Sequence, residues 1–205
     1  MKKLLLGSGL ALASFASTAT IVEMNTSQGT IEINLFDQQT PKTVENFLSY
    51  VQDESYNETV IHRSVADFVI QGGGFTYSDS FDAIDTKPTV ENEPVFSNVK
   101  GTIAMAKLSG DEDSATSQWF FNISDNSAAL DTQNGGFTVF GQITAASQST
   151  LDKIAALVHC GEVPVVDITE QQCSSSDVSI SSANLVTIQS VVVMDDDPNS
   201  AAGLS

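Results

Sequence analysis

Positive charge is scarce in this sequence. Lysine and arginine together number 8 against 26 acidic residues, which gives a formal net charge of −18 at pH 7. Arg63 is the single arginine. Such a chain repels nucleic acid and anionic membrane surfaces, so we expect neither as a partner. We interpret the acid excess as a solvated surface rather than as a docking site.

Long apolar runs are absent as well, so we expect no transmembrane segment. The N-terminus carries Lys2 and Lys3, then an apolar stretch over 4–13, then Ser17, Thr18 and Ala19. This order predicts a signal peptide over 1–19, cleaved after Ala19 or, almost as well, after Ala16. A buried N-terminal helix or strand is the alternative. Cleavage would leave 6 basic and 26 acidic residues, a net charge of −20.

Cysteine and histidine are also rare in this sequence. The only cysteines are Cys160 and Cys173, and the only histidines are His62 and His159. No CxxC or HxxxH spacing occurs, which disfavours a metal site. An even cysteine count in an exported chain predicts one disulfide, with free thiols as the alternative. Closing that loop would stabilise the fold by roughly 3 kcal/mol.

Hydrophobic periodicity predicts a mainly β domain over 20–194. Alternating β-branched residues flank Gly29 and predict a hairpin over 21–35. Apolar residues at helical spacing predict two amphipathic helices, at 41–53 and 151–158, the second ended by Gly161. Further strands are predicted at 59–62, 67–72, 102–107, 118–123, 137–143 and 185–194, with loops at 76–98, 108–116 and 162–182 and a disordered acidic tail at 195–205. A barrel with a helix over each open end and a sandwich with two helices both fit this order.

Four ordered blocks carry a family resemblance. They are IHRSVADFVIQGGGFT at 61–76, GTIAMA at 101–106, SATSQWFFN at 114–122, and LD at 130–131 followed by FTVFG at 137–141. The first closely resembles the cyclophilin signature, and all four stand in that family's order and spacing. The chain therefore resembles a cyclophilin-type peptidyl-prolyl cis-trans isomerase over about 20–194, and its version is similar to the periplasmic bacterial branch.

The resemblance implies an eight-stranded antiparallel β-barrel capped by two α-helices, and an enzyme that rotates Xaa-Pro bonds without cofactor or metal. It implies a periplasmic protein that acts on proline-containing unfolded or extended polypeptides, and we expect a monomer. Matching position by position, it implies catalytic roles for Arg63, Phe68 and Gln71. The implied substrate-binding residues are Val69, Ala106, Gln118, Phe120, Leu130 and Phe137.

Several positions depart from the best-known eukaryotic members. Lys107 stands where those carry asparagine, Ala129 where they carry a tryptophan that contacts the drug cyclosporin, and Phe137 where they carry histidine. Trp119 replaces a usual phenylalanine. We therefore expect weak cyclosporin binding.

The reaction itself explains why these residue types suit it. Rotation about a prolyl bond faces a barrier of about 18–20 kcal/mol, and no bond is made or broken. A fixed cation can hydrogen-bond the proline nitrogen in the twisted state, which suits the charged fork of Arg63. One such bond supplies only about 1.5–3 kcal/mol, so an apolar pocket must contribute the rest. His62 should point to the opposite face from Arg63 and serve the structure.

Two other functions remain open from sequence alone. A non-catalytic proline-peptide-binding or chaperone module could use the same fold. Val69, where the family often carries methionine, and the departures at Lys107 and Phe137 are consistent with this alternative. A secreted carbohydrate-binding barrel is disfavoured, because the expected cluster of surface aromatic residues is missing.

Overall fold

The computed structural model describes residues 19–175 and 179–195. The predicted signal peptide, apart from Ala19, and the predicted tail, apart from Asp195, lie outside these residues. Within them, no helix is both long and apolar enough to cross a membrane.

Strands dominate the described chain, as predicted. The strands are β1 Ile21–Thr26, β2 Gly29–Leu35, β3 Thr59–Val60, β4 Arg63–Val65, β5 Val69–Gly72, β6 Phe75–Tyr77, β7 Phe81–Ala83, β8 Thr102–Met105, β9 Trp119–Asn122, β10 Val139–Ile143, β11 Val158–Cys160, β12 Val163–Val165 and β13 Thr187–Asp195. The α-helices are α1 Pro41–Gln52, α2 Ser127–Leu130, α3 Gln148–Ala155 and α4 Glu170–Cys173. Short 3-10 turns stand at Gln133–Gly135, Ala145–Ser147 and Ser182–Asn184.

One antiparallel sheet of eleven strands curls into a half-barrel, in the order β4-β5-β9-β8-β10-β2-β1-β13-β3-β6-β7. The expectation of eight strands is therefore too low for the described residues. The surplus includes short strands such as β7, which lies inside the predicted loop at 76–98, and β6, which overlaps the start of that loop. Strands β11 and β12 form a separate hairpin.

The main core lies on one face of the sheet, and helices α1 and α3 contribute side chains to it. Helix α1 begins at Pro41, whose fixed φ suits a first turn, and it buries Phe47 and Tyr50 completely. Helix α3 buries Leu151 and Ile154 in the same core. The two long helices are thus the two predicted from apolar spacing, and α2 and α4 are single turns.

The second long helix ends earlier than predicted. It stops at Ala155, and Val158 lies in strand β11 instead. Gly161 does not terminate the helix but stands in the β11–β12 turn with φ +69°, a conformation that favours glycine. The predicted loop at 162–182 contains β12 and α4. Strand β12 forms because its valines pair with β11 rather than remaining in solvent.

A small apolar cluster fixes this hairpin to the rest of the fold. Buried Val60, Val165, Ile168 and Leu185 form its centre. A disulfide joins Cys160 at the end of β11 to Cys173 in α4, with Cα atoms 5.0 Å apart. In the chain-entropy model, closing a loop of this length stabilises the fold by roughly 3 kcal/mol.

Candidate active site

The opposite, outer face of the sheet carries a second, smaller apolar cluster. Because side chains alternate along a strand, Phe121 points into the core whereas Phe120 points to this outer face. In the same way, Ile70 faces the core and Val69 the outer cluster. The outer cluster has Val69, Ala104, Phe120, Leu130 and Val139 buried, with Phe36, Phe68, Ala106 and Phe137 packed around them.

Strand register brings the candidate residues together. Arg63 on β4 lies opposite Gln71 on β5, and Gln71 lies opposite Phe120 on β9. Phe120 in turn lies opposite Ala104 on β8. Directly paired residues on adjacent strands share one face, so a polar edge at Arg63 runs continuously into an apolar floor.

A cavity of about 250 Å³ opens on this row. It is lined by Arg63, Phe68, Val69, Gln71, Ala106, Lys107, Phe120, Leu130, Gln133 and Phe137. All the site residues expected from sequence line this one cavity except Gln118. The structure therefore brings these expected residues together as a single group. Arg63 and Gln71 are its polar members, and the other expected residues that line the cavity are apolar.

Two loops complete the apolar wall. The carbonyl oxygen of Phe68 accepts hydrogen bonds from the amide of Ile123 and from Nδ2 of Asn126, at 3.0 and 2.8 Å. Phe137 is held by its amide, which donates to the carbonyl of Leu130 at 3.0 Å. The Phe137 ring meets that of Phe120 edge-on, with centroids 5.7 Å apart. The wall is fixed by backbone hydrogen bonds rather than by packing alone.

Arg63 stands at the polar edge, with its direction set by two acceptors. Its Nε donates to Glu162 Oε2 at 2.8 Å, and its Nη1 donates to Gln71 Oε1 at 3.4 Å. Gln71 Nε2 in turn donates to Gln118 Oε1 at 2.8 Å. One line of hydrogen bonds thus runs from Glu162 through Arg63 and Gln71 to Gln118.

Gln118 lines a neighbouring cavity of about 360 Å³ instead. The two cavities share Gln71, Ala106 and Lys107. The amide of Ala106 donates to the Gln118 carbonyl at 2.9 Å, so this amide is not free to pair with an extended peptide. The two cavities are therefore adjacent along the site.

His62 lies beside the site without lining the cavity. Its ring meets Phe75 edge-on at 4.8 Å between centroids. Burial, with a smaller contribution from the nearby charge of Arg63, lowers the pKa of His62 to about 4, although hydrogen bonds to Val60 and Gln118 act in the opposite direction. The imidazole is therefore neutral at pH 7, as suits a packing residue.

Several neighbours of the cavity are not predicted from the sequence. Lys107 is only a departure from the family pattern, yet its Nζ donates to the carbonyls of Asn134 and Gly136 at 2.8 and 2.7 Å. Burial lowers the pKa of Lys107, and nearby carboxylates partly offset this effect. No sequence pattern predicts Gln133 or Glu162, because they lie in a 3-10 turn and a hairpin turn whose positions depend on the folded chain.

The glycine run after Gln71 has a steric cause. Gly73 has φ +76°, and a Cβ there would come within 2.6 Å of Nε1 of Trp119 and 2.8 Å of the Ser117 carbonyl. Trp119 is fully buried beneath this turn. The glycines thus let the chain pass closely over the indole, and they form no phosphate loop.

Comparisons with known proteins agree with this architecture. A model of the family described as cyclophilin type peptidyl-prolyl cis-trans isomerase matches residues 21–184. A peptidyl-prolyl cis-trans isomerase of Acinetobacter baylyi is 40% identical over 150 residues, covering 72% of this chain and 78% of that protein. Peptidyl-prolyl cis-trans isomerase A of Dickeya dadantii is 43% identical over 144 residues, covering 68% and 73%.

A solved structure shows the same fold. The crystal structure of a Cryptosporidium parvum cyclophilin type isomerase aligns with a TM-score of 0.61 at 22% identity, covering 86% of this chain and 98% of that one. The chain belongs to the cyclophilin-type peptidyl-prolyl cis-trans isomerase family. It is thus a member of a family of enzymes, which confirms the resemblance seen in the sequence.

Proposed function

We propose that this isomerase rotates Xaa-Pro bonds by presenting Arg63 to the proline nitrogen as the amide twists. The observation that carries this proposal is the row of Arg63, Gln71 and Phe120 across adjacent strands at one cavity. In the twisted amide the nitrogen regains a lone pair, which a guanidinium N–H can bind. That bond forms only near the transition state, so it lowers the barrier instead of tightening ground-state binding.

The apolar wall supplies the second part of the proposed mechanism. A rate gain of 10⁴- to 10⁵-fold corresponds to about 5.5–7 kcal/mol. One charge-assisted hydrogen bond from Arg63 accounts for about 1.5–3 kcal/mol of it. The planar amide is more polar than the twisted one, so Phe68, Phe120 and Leu130 around the proline ring would disfavour the planar state. Gln71 and Gln118 would align the peptide backbone and Arg63.

A peptide assay with Arg63→Ala tests this mechanism. A protease-coupled measurement on a cis-proline tetrapeptide should show kcat/KM reduced by about 100-fold or more, the cost of losing the transition-state bond and its positioning. Tight peptide binding with no turnover by the wild type would instead indicate the non-catalytic module. Equal rates for wild type and Arg63→Ala would remove Arg63 from the mechanism.

We also propose that the substrates are exported polypeptides folding in the periplasm. The support is the basic, apolar and small-residue order of residues 1–19 and the single disulfide, which suits an oxidising compartment. Mass measurement of the protein recovered from the periplasm of a bacterial host should give a chain beginning at Thr20 or at Ser17. A full-length chain retained in the cytoplasm would contradict export.

Weak cyclosporin binding remains part of the proposal. Ala129 on α2 is exposed and offers no large aromatic surface where the resemblance places a drug-binding tryptophan. Inhibition of the isomerase at low nanomolar cyclosporin would contradict this expectation. Substitution Ala129→Trp provides the matched comparison and should increase inhibition.

A further inference from the structure

The guanidinium of Arg63 has a partner that none of the four sequence blocks contains. Glu162 accepts from Nε at 2.8 Å, a shorter contact than the 3.4 Å between Nη1 and Gln71. An acceptor at Nε restrains the guanidinium plane at the end nearest the side-chain stem. Nη2 then forms no hydrogen bond among the described residues. The group that reaches the cavity is therefore held from behind by a carboxylate.

Glu162 is itself held in place by the backbone. It stands in the β11–β12 turn, and its carbonyl accepts from the amide of Ser64, the residue after Arg63, at 2.6 Å. The hairpin packs on the cluster around Val165, and its β11 strand is tied to α4 by the Cys160–Cys173 disulfide. The carboxylate thus belongs to a braced turn rather than to a loose loop.

We propose that Glu162 is a positioning residue that sets the orientation of Arg63, and that the disulfide-braced hairpin carries it there. This inference rests on the proposed role of Arg63. Among the described residues, the only cavity residue that hydrogen-bonds the Glu162 side chain is Arg63, so the proposed effect runs through the guanidinium. Its value lies in restricting the rotation of a long side chain before the amide twists.

The geometry separates this role from a stabilising one. The Arg63 side chain is 32% exposed and the Glu162 side chain 60% exposed. Ion pairs at such exposure add little to folding stability, because water screens them and ordering two side chains costs entropy. Loss of the pair should therefore change turnover while leaving thermal unfolding nearly as it was.

Kinetics on two substitutions test the proposal. Glu162→Gln keeps a neutral acceptor and should lower kcat about threefold, whereas Glu162→Ala should lower it about tenfold, with KM changing less than about twofold in both. Asp152→Asn is the matched control, since Asp152 lies on α3 and is the acid of an exposed ion pair with Lys100. That control should keep wild-type kcat. A kcat at or above the wild-type value in Glu162→Ala would overturn the proposal, and a rise would mean that the carboxylate competes for the guanidinium.

The single arginine allows a direct spectroscopic readout. Arg63 gives the only arginine Nε–Hε correlation in a ¹H–¹⁵N spectrum, since the chain has no other arginine. In Glu162→Ala that correlation should shift and exchange faster with water, and in Asp152→Asn it should not move. An unmoved correlation in Glu162→Ala would overturn the contact itself.

The brace has its own test. The double substitution Cys160→Ser with Cys173→Ser should lower kcat in the wild-type background but not further in Glu162→Ala, because the two changes act through one contact. Thermal unfolding and circular dichroism establish that the variant is folded. Independent, additive losses would overturn the claim that the hairpin acts through Glu162. Failure of the proposed function is distinguishable, because Arg63→Ala would then retain wild-type activity, whereas the Nε–Hε signals of the wild type and of Glu162→Ala would still report the contact.

Discussion

Two cations line the same cavity and are held in different ways. Arg63 is bound by side chains, Glu162 and Gln71, through its Nε and Nη1. Lys107 is bound by main-chain carbonyls of the loop at 134–136, and its Nζ lies 4.9 Å from the centroid of the Phe137 ring. The first arrangement orients a cation, whereas the second uses the cation to fasten a loop.

The difference teaches which cation is available to a substrate. A guanidinium has five N–H donors, of which Arg63 commits two, so donors remain for a proline nitrogen. An ammonium has three, and Lys107 gives two to carbonyls while its charge faces an aromatic ring. Presence in a cavity is thus a poor guide to chemistry unless the remaining donors are counted.

Exchanging the two cation types gives the largest expected effect. Arg63→Lys keeps the charge but loses the planar fork, so we expect kcat/KM for a cis-proline peptide to fall by about 100-fold. The reciprocal change Lys107→Arg alters a loop fastening and should reduce kcat/KM by less than about fivefold. Both are measured in the same peptide assay. Equal losses in the two variants would erase the distinction between the cations.

Much of the site could be predicted because its residues lie in continuous motifs on strands. Phe68, Val69 and Gln71 lie with Arg63 in a stretch of nine residues, 63–71, and antiparallel pairing then brings Phe120 beside them. Alternation along β9 correctly separates Phe120 from the core residue Phe121. The hydrophobic pattern and the strand register of these residues both depend on short stretches of sequence.

Glu162 could not be predicted in this way. Its contact with Arg63 joins residues 99 positions apart, and no periodicity marks it. It depends on a hairpin that the sequence presented as the end of a helix followed by a polar loop. The surplus strands β6 and β7 were hidden for a related reason, since three-residue strands are too short to show alternation.

The titration of His62 sharpens the description of the Arg63 side. With its pKa lowered to about 4 by burial, the folded imidazole stays neutral down to acidic pH, whereas the unfolded one takes up a proton near pH 6.5. The unfolded state therefore binds more protons between these two pKa values. The contribution of His62 to the unfolding free energy is fully present above pH 6.5 and is lost as the pH falls towards 4.

His62→Phe tests that linkage by keeping a ring against Phe75 while removing the titration. Between pH 7 and pH 4 the wild type should lose about 2–3 kcal/mol more unfolding free energy than the variant. Chemical denaturation at each pH measures both curves, and the acidic residues affect the two proteins alike. Parallel curves would show that His62 titrates normally in the folded chain.

Lys107→Met gives the smallest expected change and tests the other half of the comparison. The substitution keeps an unbranched apolar stem over Phe137 but removes the two hydrogen bonds to the carbonyls of Asn134 and Gly136. Because the ammonium is only partly buried, water replaces much of what is lost, and we expect a cost of about 1 kcal/mol in unfolding free energy. Since Phe137 forms part of the apolar wall, a loosened loop should raise KM modestly and leave kcat close to wild type. A loss of kcat as large as that of Arg63→Lys would mean that Lys107 reaches the twisting amide, and the two cations would then share the chemistry.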